Sequence, residues 1–585
     1  MSFDALLTLA VTLVMVVALV REWVAPAIAV VTAMITLLVL GVIDTRSALA
    51  GFSNPAPITV AALFVLARAV EKTGALQPFV AGMLSAGGGE SRSLLRLLLP
   101  TAAASCFFNN TPIVAMLVPQ VSAWANRHGK PVALYLLPIS FAAILGGMVT
   151  LVGTSTNLIV SGMLEEAGQE PLGMFEMTGV GGAVAVLGLV AVALLAPRIL
   201  RVRQGPLESF DAAFREYAVE MEVEAGGPVD GATVESAGLR HLQGVFLVRI
   251  GREEGVVAPV APDEVLRGRD LLGFVGRADL VVDLQAVRGL RSAEHKHAER
   301  FRDARHNFVE AVISPISPLV GQTVAECDFR EQYGAAVLAI HRAGDRIRDK
   351  LGTVRLRAGD TLLLLADQGF RGRWRDRRDF LLVANLDGAL PVGSRRGMLV
   401  LATAAAVVTL AAMGVLPVLK GALIGAVLMV ATGTLTPNEA RSALNLDVLI
   451  VIAAAFGLGA AIEQSGLAAM LAGGLVLPSQ VLGPKGALLA VVLSTIVLTE
   501  LITNNAAAVM MFPVAQAAAL AAGGDPRSFA IAVALAASAS FLTPIGDQTN
   551  TMVYGPGGYR FVDYARLGAP LTVIVVVVIT VLLAR

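Results

Sequence analysis

The chain has 585 residues, 56% of them hydrophobic, with a mean hydropathy of +0.72 and 45 basic against 45 acidic side chains. That hydropathy excludes a soluble globular protein and indicates an integral membrane protein. Zero net charge excludes the single-sign basic surface that nucleic-acid binding needs, and two cysteines, Cys106 and Cys327, build neither a disulfide framework nor a metal cluster.

Charge divides the chain into three. Of 90 Asp, Glu, Lys and Arg residues, 18 precede position 200, 58 fall at 200–396 and 14 follow, so two apolar halves flank a polar insert. The first 23 residues lack a basic n-region and a small-residue cleavage site, and read as a first span. Runs able to cross a bilayer core of about 30 Å at about 1.5 Å per residue lie near 5–20, 24–43, 56–72, 132–163 and 174–197. They recur near 397–414, 417–433, 447–466, 527–553 and 568–584. Each half also holds a longer segment broken by polar residues, 93–122 and 486–515, which reads as a re-entrant hairpin.

Basic residues are retained on the cytoplasmic side. Arg92, Arg96, Arg127 and Lys130 bracket the first hairpin, Arg198, Arg201 and Arg203 close the first half, and Arg395 and Arg396 open the second. The acidic loop "EEAGQE" (165–170) falls on the other side. With five crossings each, the halves are expected to run in opposite senses, and the insert, 200–396, to be cytoplasmic.

Sequence supports a duplication. "VEKTGAL" (70–76) recurs as "IEQSGLA" (462–468), "NNTPIVAMLVP" (109–119) aligns without gaps on "TNNAAAVMMFP" (503–513), and "TLVGTSTN" (150–157) pairs with "TPIGDQTN" (543–550). Inverted repeats with interrupted helices at matching positions mark secondary transporters, whose substrate site lies at the repeat interface. A break in hydrocarbon is tolerated only inside protein or along a water-filled cavity. At such a tip, half-helix N-termini and Asn or Thr donors suit an anion, while side-chain and freed backbone oxygens suit Na⁺. One isolated asparagine would be read as a helix–helix hydrogen bond; four polar clusters paired by repeat are read as a site.

The substrate-binding set is therefore Asn109, Asn110, Thr111, Thr156, Asn157, Thr503, Asn504, Asn505, Thr549 and Asn550, with Na⁺ expected near Asn110, Gly153, Thr154, Asn157, Asn504, Gly546, Asp547 and Asn550. Gly153 and Gly546 admit left-handed backbone or close approach. Asp547 is the candidate cation-binding or titratable carboxylate; Glu500 orients the hairpin or pairs with a neighbour; Arg68 and Lys72 snorkel. No histidine falls in a span, which excludes a histidine proton relay.

The insert carries a direct repeat at an offset of 90: "GATVESAGLRHLQGVFLVRIGREEG" (231–255) pairs with "GQTVAECDFREQYGAAVLAIHRAGD" (321–345), and Asp270 with Asp360. Short strands of aliphatic residues separated by Gly and charged turns predict two small α/β units. They resemble tandem TrkA-C domains, and that resemblance implies pairing between units and a small regulatory ligand such as a nucleotide. No Gly-rich phosphate loop or Rossmann fingerprint is present.

With both tips and both breaks in place, the membrane halves resemble the divalent anion/sodium symporter family of the ion transporter superfamily. Its paired Ser-Asn-Thr motifs correspond to "NNT" (109–111) and "TNN" (503–505), the central Asn retained and the flanks different; "GTSTN" with "QTNTMVYGPGGYR" is similar to the sulfate-type branch.

The resemblance implies an α-helical polytopic membrane protein of the inner cell membrane. Each half, 1–199 and 395–585, is an inverted repeat of five spans plus one hairpin, with α/β domains at 212–297 and 304–386. It also implies elevator-type uptake of a divalent oxyanion, sulfate first, coupled to Na⁺ or H⁺ in a lipid-embedded homodimer with no other cofactor. A dicarboxylate/Na⁺ symporter, a sodium/proton antiporter and a TrkA-C-gated channel are the alternatives. No nucleophile, base and oxyanion set supports an enzyme.

Overall fold

Proline and side-chain caps punctuate the apolar helices. Asp44 Oδ1 accepts from Ser47 N, Asn54 Oδ1 from Ala56 N with Pro55 in the first turn, and Thr436 with Glu439 forms a reciprocal capping box ahead of Pro437. These signals set the helices of a computed structural model. It describes residues 2–21, 23–75, 90–200, 218–239, 245–252, 255–257, 260–276, 289–292, 308–314, 317–342, 345–347, 351–366, 369–374, 377, 379–385 and 395–583.

The first half contains α1 (Phe3–Val20), α2 (Pro26–Val39), α3 (Thr45–Ser53), α4 (Pro55–Thr73), α5 (Glu90–Ser105), α6 (Asn110–Arg127), α7 (Ala133–Gly147), α8 (Ser155–Glu166) and α9 (Thr178–Ile199). After the insert, which carries short helices α10 (Phe329–Tyr333) and α11 (Phe370–Trp374), come α12 (Arg395–Ala412), α13 (Val418–Ala431), α14 (Pro437–Ser442), α15 (Leu446–Gln464), α16 (Leu467–Leu475) and α17 (Ser479–Leu482). The chain ends with α18 (Pro484–Leu501), α19 (Asn504–Ala522), α20 (Pro526–Ala537), α21 (Gln548–Tyr554) and α22 (Phe561–Leu583).

Among the described residues, seven stretches are long and apolar enough to cross a membrane: Phe3–Val20, Thr45–Thr73, Thr178–Ile199, Leu446–Gln464, Pro484–Leu501, Asn504–Ala522 and Phe561–Leu583. The runs at 132–163 and 527–553 are each split, into α7 and α8 and into α20 and α21, with Gly153 and Gly546 inside the interruptions. Hydropathy alone does not register the first interruption, because Met148, Val149, Leu151 and Val152 within it are themselves apolar.

The two basic residues expected to snorkel are each paired with a carboxylate. Lys72 Nζ reaches Glu439 Oε2 at 2.6 Å, tying α4 to α14 and holding that carboxyl down to about 2, and Arg68 pairs with Glu71 at 3.0 Å. A separate apolar cluster, with Leu66, Ala69, Val70, Val400 and Met429, joins α4, α12 and α13; the larger core runs through the other helices.

The insert contains two five-stranded antiparallel sheets. The first comprises β1 (Ala218–Val223), β2 (Val245–Arg252), β3 (Gly255–Val257), β4 (Leu271–Gly276) and β5 (Leu290–Ser292), in the order β3-β2-β4-β1-β5. The second comprises β6 (Phe308–Ile313), β7 (Ala335–Arg342), β8 (Asp345–Arg346), β9 (Thr361–Ala366) and β10 (Phe380–Asn385), in the order β8-β7-β9-β6-β10. At the offset of 90, Arg252 binds Asp270 and Arg342 binds Asp360. The expected boundary residues 212, 297, 304 and 386 lie outside the described residues, as do His241, His295, His297 and His306.

Glu310 on β6 alternates with Val309, Ala311 and Ile313, which fill the second unit's own core, so it points to the opposite face, where it is 6% exposed. Burial pushes its carboxyl up to about 7. A carboxyl raised in the fold contributes stability that is full below its unfolded value and lost as pH rises through the folded one. The second unit is therefore expected to lose stability as pH rises from about 4.5 to about 7, on the order of 3 kcal/mol at most, and Glu310→Gln to flatten that profile. Thermal unfolding of both proteins across that range checks it.

Candidate functional site

Four side-chain hydrogen bonds at the polar segments of the first half recur at matching positions in the second. In the first half, Ser105 Oγ donates to Asn110 Oδ1 at 2.6 Å; in the second, Thr499 Oγ1 donates to Asn504 Oδ1 at 2.8 Å, an offset of 394 in each member. Asn157 Nδ2 donates to the carbonyls of Gly147 (3.2 Å) and Thr150 (2.9 Å), and Asn550 Nδ2 to those of Ser540 (2.7 Å) and Thr543 (3.2 Å), all at 393. Thr150 Oγ1 donates to the Cys106 carbonyl, and Thr543 Oγ1 to that of Glu500 at 3.5 Å. Each asparagine amide thus satisfies carbonyls freed by the interruption, and each threonine ties the break to its tip.

Glycine at 147 and 153 is set by close approach, since both lie outside the positive-φ set. A Cβ on Gly147 would sit 2.7 Å from Asn110 Oδ1, and one on Gly153 would sit 2.6 Å from the Gly147 carbonyl. At position 540, matching Gly147, stands Ser540, whose hydroxyl donates to Asn504 Oδ1 at 2.7 Å.

The halves differ in charge. Asn504 Nδ2 donates to Asp547 Oδ2 at 3.0 Å, while Asp547 Oδ1 accepts from Thr549 N (2.8 Å) and Thr549 Oγ1 (2.9 Å) and caps α21. The matching residue in the first break is Thr154, which makes no side-chain cap. Glu500 Oε1 accepts from Leu542 N at 2.7 Å; its match is Cys106. Within the two breaks and their flanking helix ends, two buried side-chain oxygens have no hydrogen-bond partner among the described residues, Glu500 Oε2 at the second and Asn157 Oδ1 at the first. A Cβ on Gly546 would lie 3.1 Å from Glu500 Oε2, which places that oxygen against the residue preceding Asp547.

Contacts also cross between the halves. Asn505 Oδ1 accepts from Ser155 Oγ at 3.0 Å and lies 3.4 Å from Thr156 Oγ1, so the N-termini of α8 and α19 meet. Ser140 Oγ on α7 lies 2.9 Å from Thr549 Oγ1 and 2.8 Å from Asn550 Oδ1. Tyr559 OH is inserted into a turn of α7, accepting from Leu137 N at 2.7 Å and donating to the Ala133 carbonyl. Tyr559→Phe leaves that turn without its bridge and is expected to lower the melting temperature of the purified protein, by about 1–2 kcal/mol in stability terms.

Of the ten residues expected to bind substrate, the structure places Thr156, Asn157, Thr549 and Asn550 at no more than 1% exposure and Asn110 at 6%. Asn109, Thr111, Thr503, Asn504 and Asn505 are half-buried; Thr503 Oγ1 caps α19, and Asn109 Oδ1 accepts from Thr111 N at 3.4 Å. Asn109 and Ser155 also line a cleft whose other walls are apolar residues of α4, α12 and α13, among them Phe64, Ala404 and Val407. Ser105, Ser140, Ser155, Thr499 and Ser540 were not anticipated. Single hydroxyls in spans usually bond back to their own helix, and only the repeat offset distinguishes Ser105 and Thr499.

Paired helix breaks, at 106–109 with 148–154 and at 502–503 with 538–547, within an apolar helical bundle with seven candidate spans among the described residues, are the mark of a multi-pass membrane transporter. A family model described as "Citrate transporter" matches residues 16–534, and the chain belongs to that family. An uncharacterized transporter of Synechocystis sp. is 35% identical over 581 residues, covering 97% of this chain and 95% of that one. An uncharacterized transporter of Escherichia coli is 29% identical over 566 residues, covering 93% and 92%. The chain is also similar to sodium/sulfate cotransporter 2 of Chlamydomonas reinhardtii, 24% identical over 786 aligned positions, covering 98% and 88%.

Proposed function

We propose that the protein takes up a small divalent oxyanion, sulfate first, coupled to Na⁺ by alternating access between two membrane halves of inverted topology. The observation that carries the reading is the pair of partnerless buried oxygens, Asn157 Oδ1 and Glu500 Oε2, one at each break. A buried acceptor without a donor is what a bound cation satisfies. At the second break Glu500, Asp547 and the Gly546 backbone form the more anionic cradle; at the first, Asn157, Thr154 and Gly153 form a neutral one.

The anion's donors are the half-buried groups that face the cleft or cross between halves: Asn109, Thr111, Ser155 and Asn505, with the N-termini of α6, α8 and α19 adding backbone N–H dipoles. Asn110, Asn504 and Asn550 frame these donors from behind. A neutral donor set suits an anion that arrives with its own cation, because the cation lowers the field of the nearby carboxylates before the anion docks. Sulfate is favoured over citrate or another carboxylate by likeness to the Chlamydomonas sodium/sulfate cotransporters, 24% and 25% identical across 98% and 99% of this chain. The two α/β units are read as TrkA-C-like regulatory modules on the cytoplasmic side, within a homodimer in the cell membrane.

H⁺ coupling is a second reading, favoured by Glu500: a carboxyl oxygen without a partner is also satisfied by carrying its own proton. Uptake of radiolabelled sulfate, citrate and succinate into proteoliposomes, under separate Na⁺ and pH gradients, decides among these. Accumulation of sulfate driven by Na⁺ alone supports the first reading; accumulation driven by pH alone supports the second; citrate uptake without sulfate uptake overturns the substrate assignment.

A further inference from the structure

The two α/β units share one strand order but differ on the outer face of the sheet. In the first unit Arg249 pairs in register with Gly273, and a Cβ on Gly273 would fall 2.8 Å from the arginine Cγ, so the arginine stem lies across the face. Glu222 on β1, beside Leu271, is exposed. At the offset of 90 the second unit has Ala339 for Arg249, Leu363 for Gly273 and Val312 for Glu222. The same face carries Glu310, in register with Leu363, and His341, in register with Thr361.

This face is fully covered. Ala339 and Val312 are 0% exposed, Leu363 2% and Leu365 4%. The cover is the membrane body: Val312 belongs to its apolar core, Leu381 of β10 packs against that core, and β10 contacts α6. At the edge of this contact a Cβ on Gly359 would lie 3.6 Å from Thr551 Cγ2, and a Cβ on Gly555 would fall 1.4 Å from Thr361 Oγ1. Gly555 has helical backbone, φ −70° and ψ −55°, so its own conformation would accept alanine. Only the approach of Thr361 forbids it.

Thr551 lies within α21 and Gly555 directly follows it, while the other end of that helix starts at Asp547 and carries Thr549 and Asn550. The helix has seven residues, about 10 Å of rise. A shift at Gly555 therefore reaches the second break through one short rigid element.

We infer that the second α/β unit, docked by its sheet face on α6 and on the end of α21, positions the second helix break, and that the first unit does not. This rests on the transport reading above, so the test separates docking from transport. In a chain with Cys106 and Cys327 replaced by alanine, Gly359→Cys with Thr551→Cys, across the edge where a Cβ on Gly359 would lie 3.6 Å from Thr551 Cγ2, is expected to form a disulfide under mild oxidation, seen as a mobility shift that reductant reverses. No disulfide would overturn the docking itself.

The coupling is read from uptake in correctly inserted, monodisperse protein. Gly555→Ala is expected to lower kcat/KM at least tenfold, and Thr361→Gly in the Gly555→Ala background to restore it to within threefold of the parent. Leu271→Ala, at the matching position of the first unit, is expected to leave uptake unchanged. Parent-like uptake by Gly555→Ala, or failure of Thr361→Gly to restore it, would overturn the coupling while leaving the docking. A parent that takes up no anion overturns the transport reading; the disulfide, with loss of melting temperature in Gly555→Ala and recovery in the double variant, still decides the docking.

Discussion

Asn504→Ala is expected to lower cation-driven anion uptake by about 100-fold, with the protein still inserted. The asparagine receives hydrogen bonds from Thr499 and Ser540 on its oxygen and gives one to Asp547 from its nitrogen. Alanine leaves two hydroxyls without this acceptor and a carboxylate without its donor. A hydrogen bond to a charged group is worth about 1.5–3 kcal/mol, and each 1.4 kcal/mol is about tenfold, so the carboxylate bond alone accounts for most of the loss. Asn110→Ala should cost less, about tenfold by the same conversion, because the first break offers Thr154 where the second has Asp547. Initial uptake rates of the two variants side by side check this; equal losses would mean that the carboxylate bond contributes nothing.

Asp547→Asn is expected to raise the Na⁺ concentration for half-maximal uptake at least tenfold while leaving the fold intact. Asparagine is a good helix cap, and its Oδ1 can still accept from Thr549 N, so α21 keeps its start. The anionic oxygen is lost, and with it the charge that distinguishes the second cradle from the first. A Na⁺ titration of uptake at fixed sulfate measures the shift. A variant with an unchanged Na⁺ dependence would assign Asp547 a capping role alone and leave the cation to Glu500 and backbone oxygens.

Much of this site was legible because polar residues are conspicuous in an apolar chain. Asn110 and Asn504 could be picked from their segments, and the offsets that align them also align Asn157 with Asn550. What could not be read was which oxygen stays free. Asn157 and Asn550 are equivalent in the repeat, yet Ser140 approaches the oxygen of one, while the position matching Ser140 in the second half is Val533. That difference depends on packing between halves. The interruption in 132–163 was visible only through its glycine and polar flank, since its own residues keep the hydropathy of a span.

The docked sheet face did leave a trace in the sequence. "TLLLLA" (361–366) is an uninterrupted apolar run, whereas its counterpart "LLGFVG" (271–276) is broken by glycine. A strand apolar on both faces is covered on both, a rule that points to a partner for the second unit without saying which. The partner of Lys72 was not legible for a related reason: Glu439 lies 367 residues away, beyond any local pattern.

The most direct measurement of the central claim is Na⁺-gradient-driven accumulation of radiolabelled sulfate in proteoliposomes containing the parent chain or Asn504→Ala. The account predicts concentrative uptake by the parent that disappears when Na⁺ is replaced by choline and is nearly absent in the variant. Sulfate accumulation that persists without Na⁺ or a pH gradient, or that survives loss of the Asn504 side chain, would contradict it.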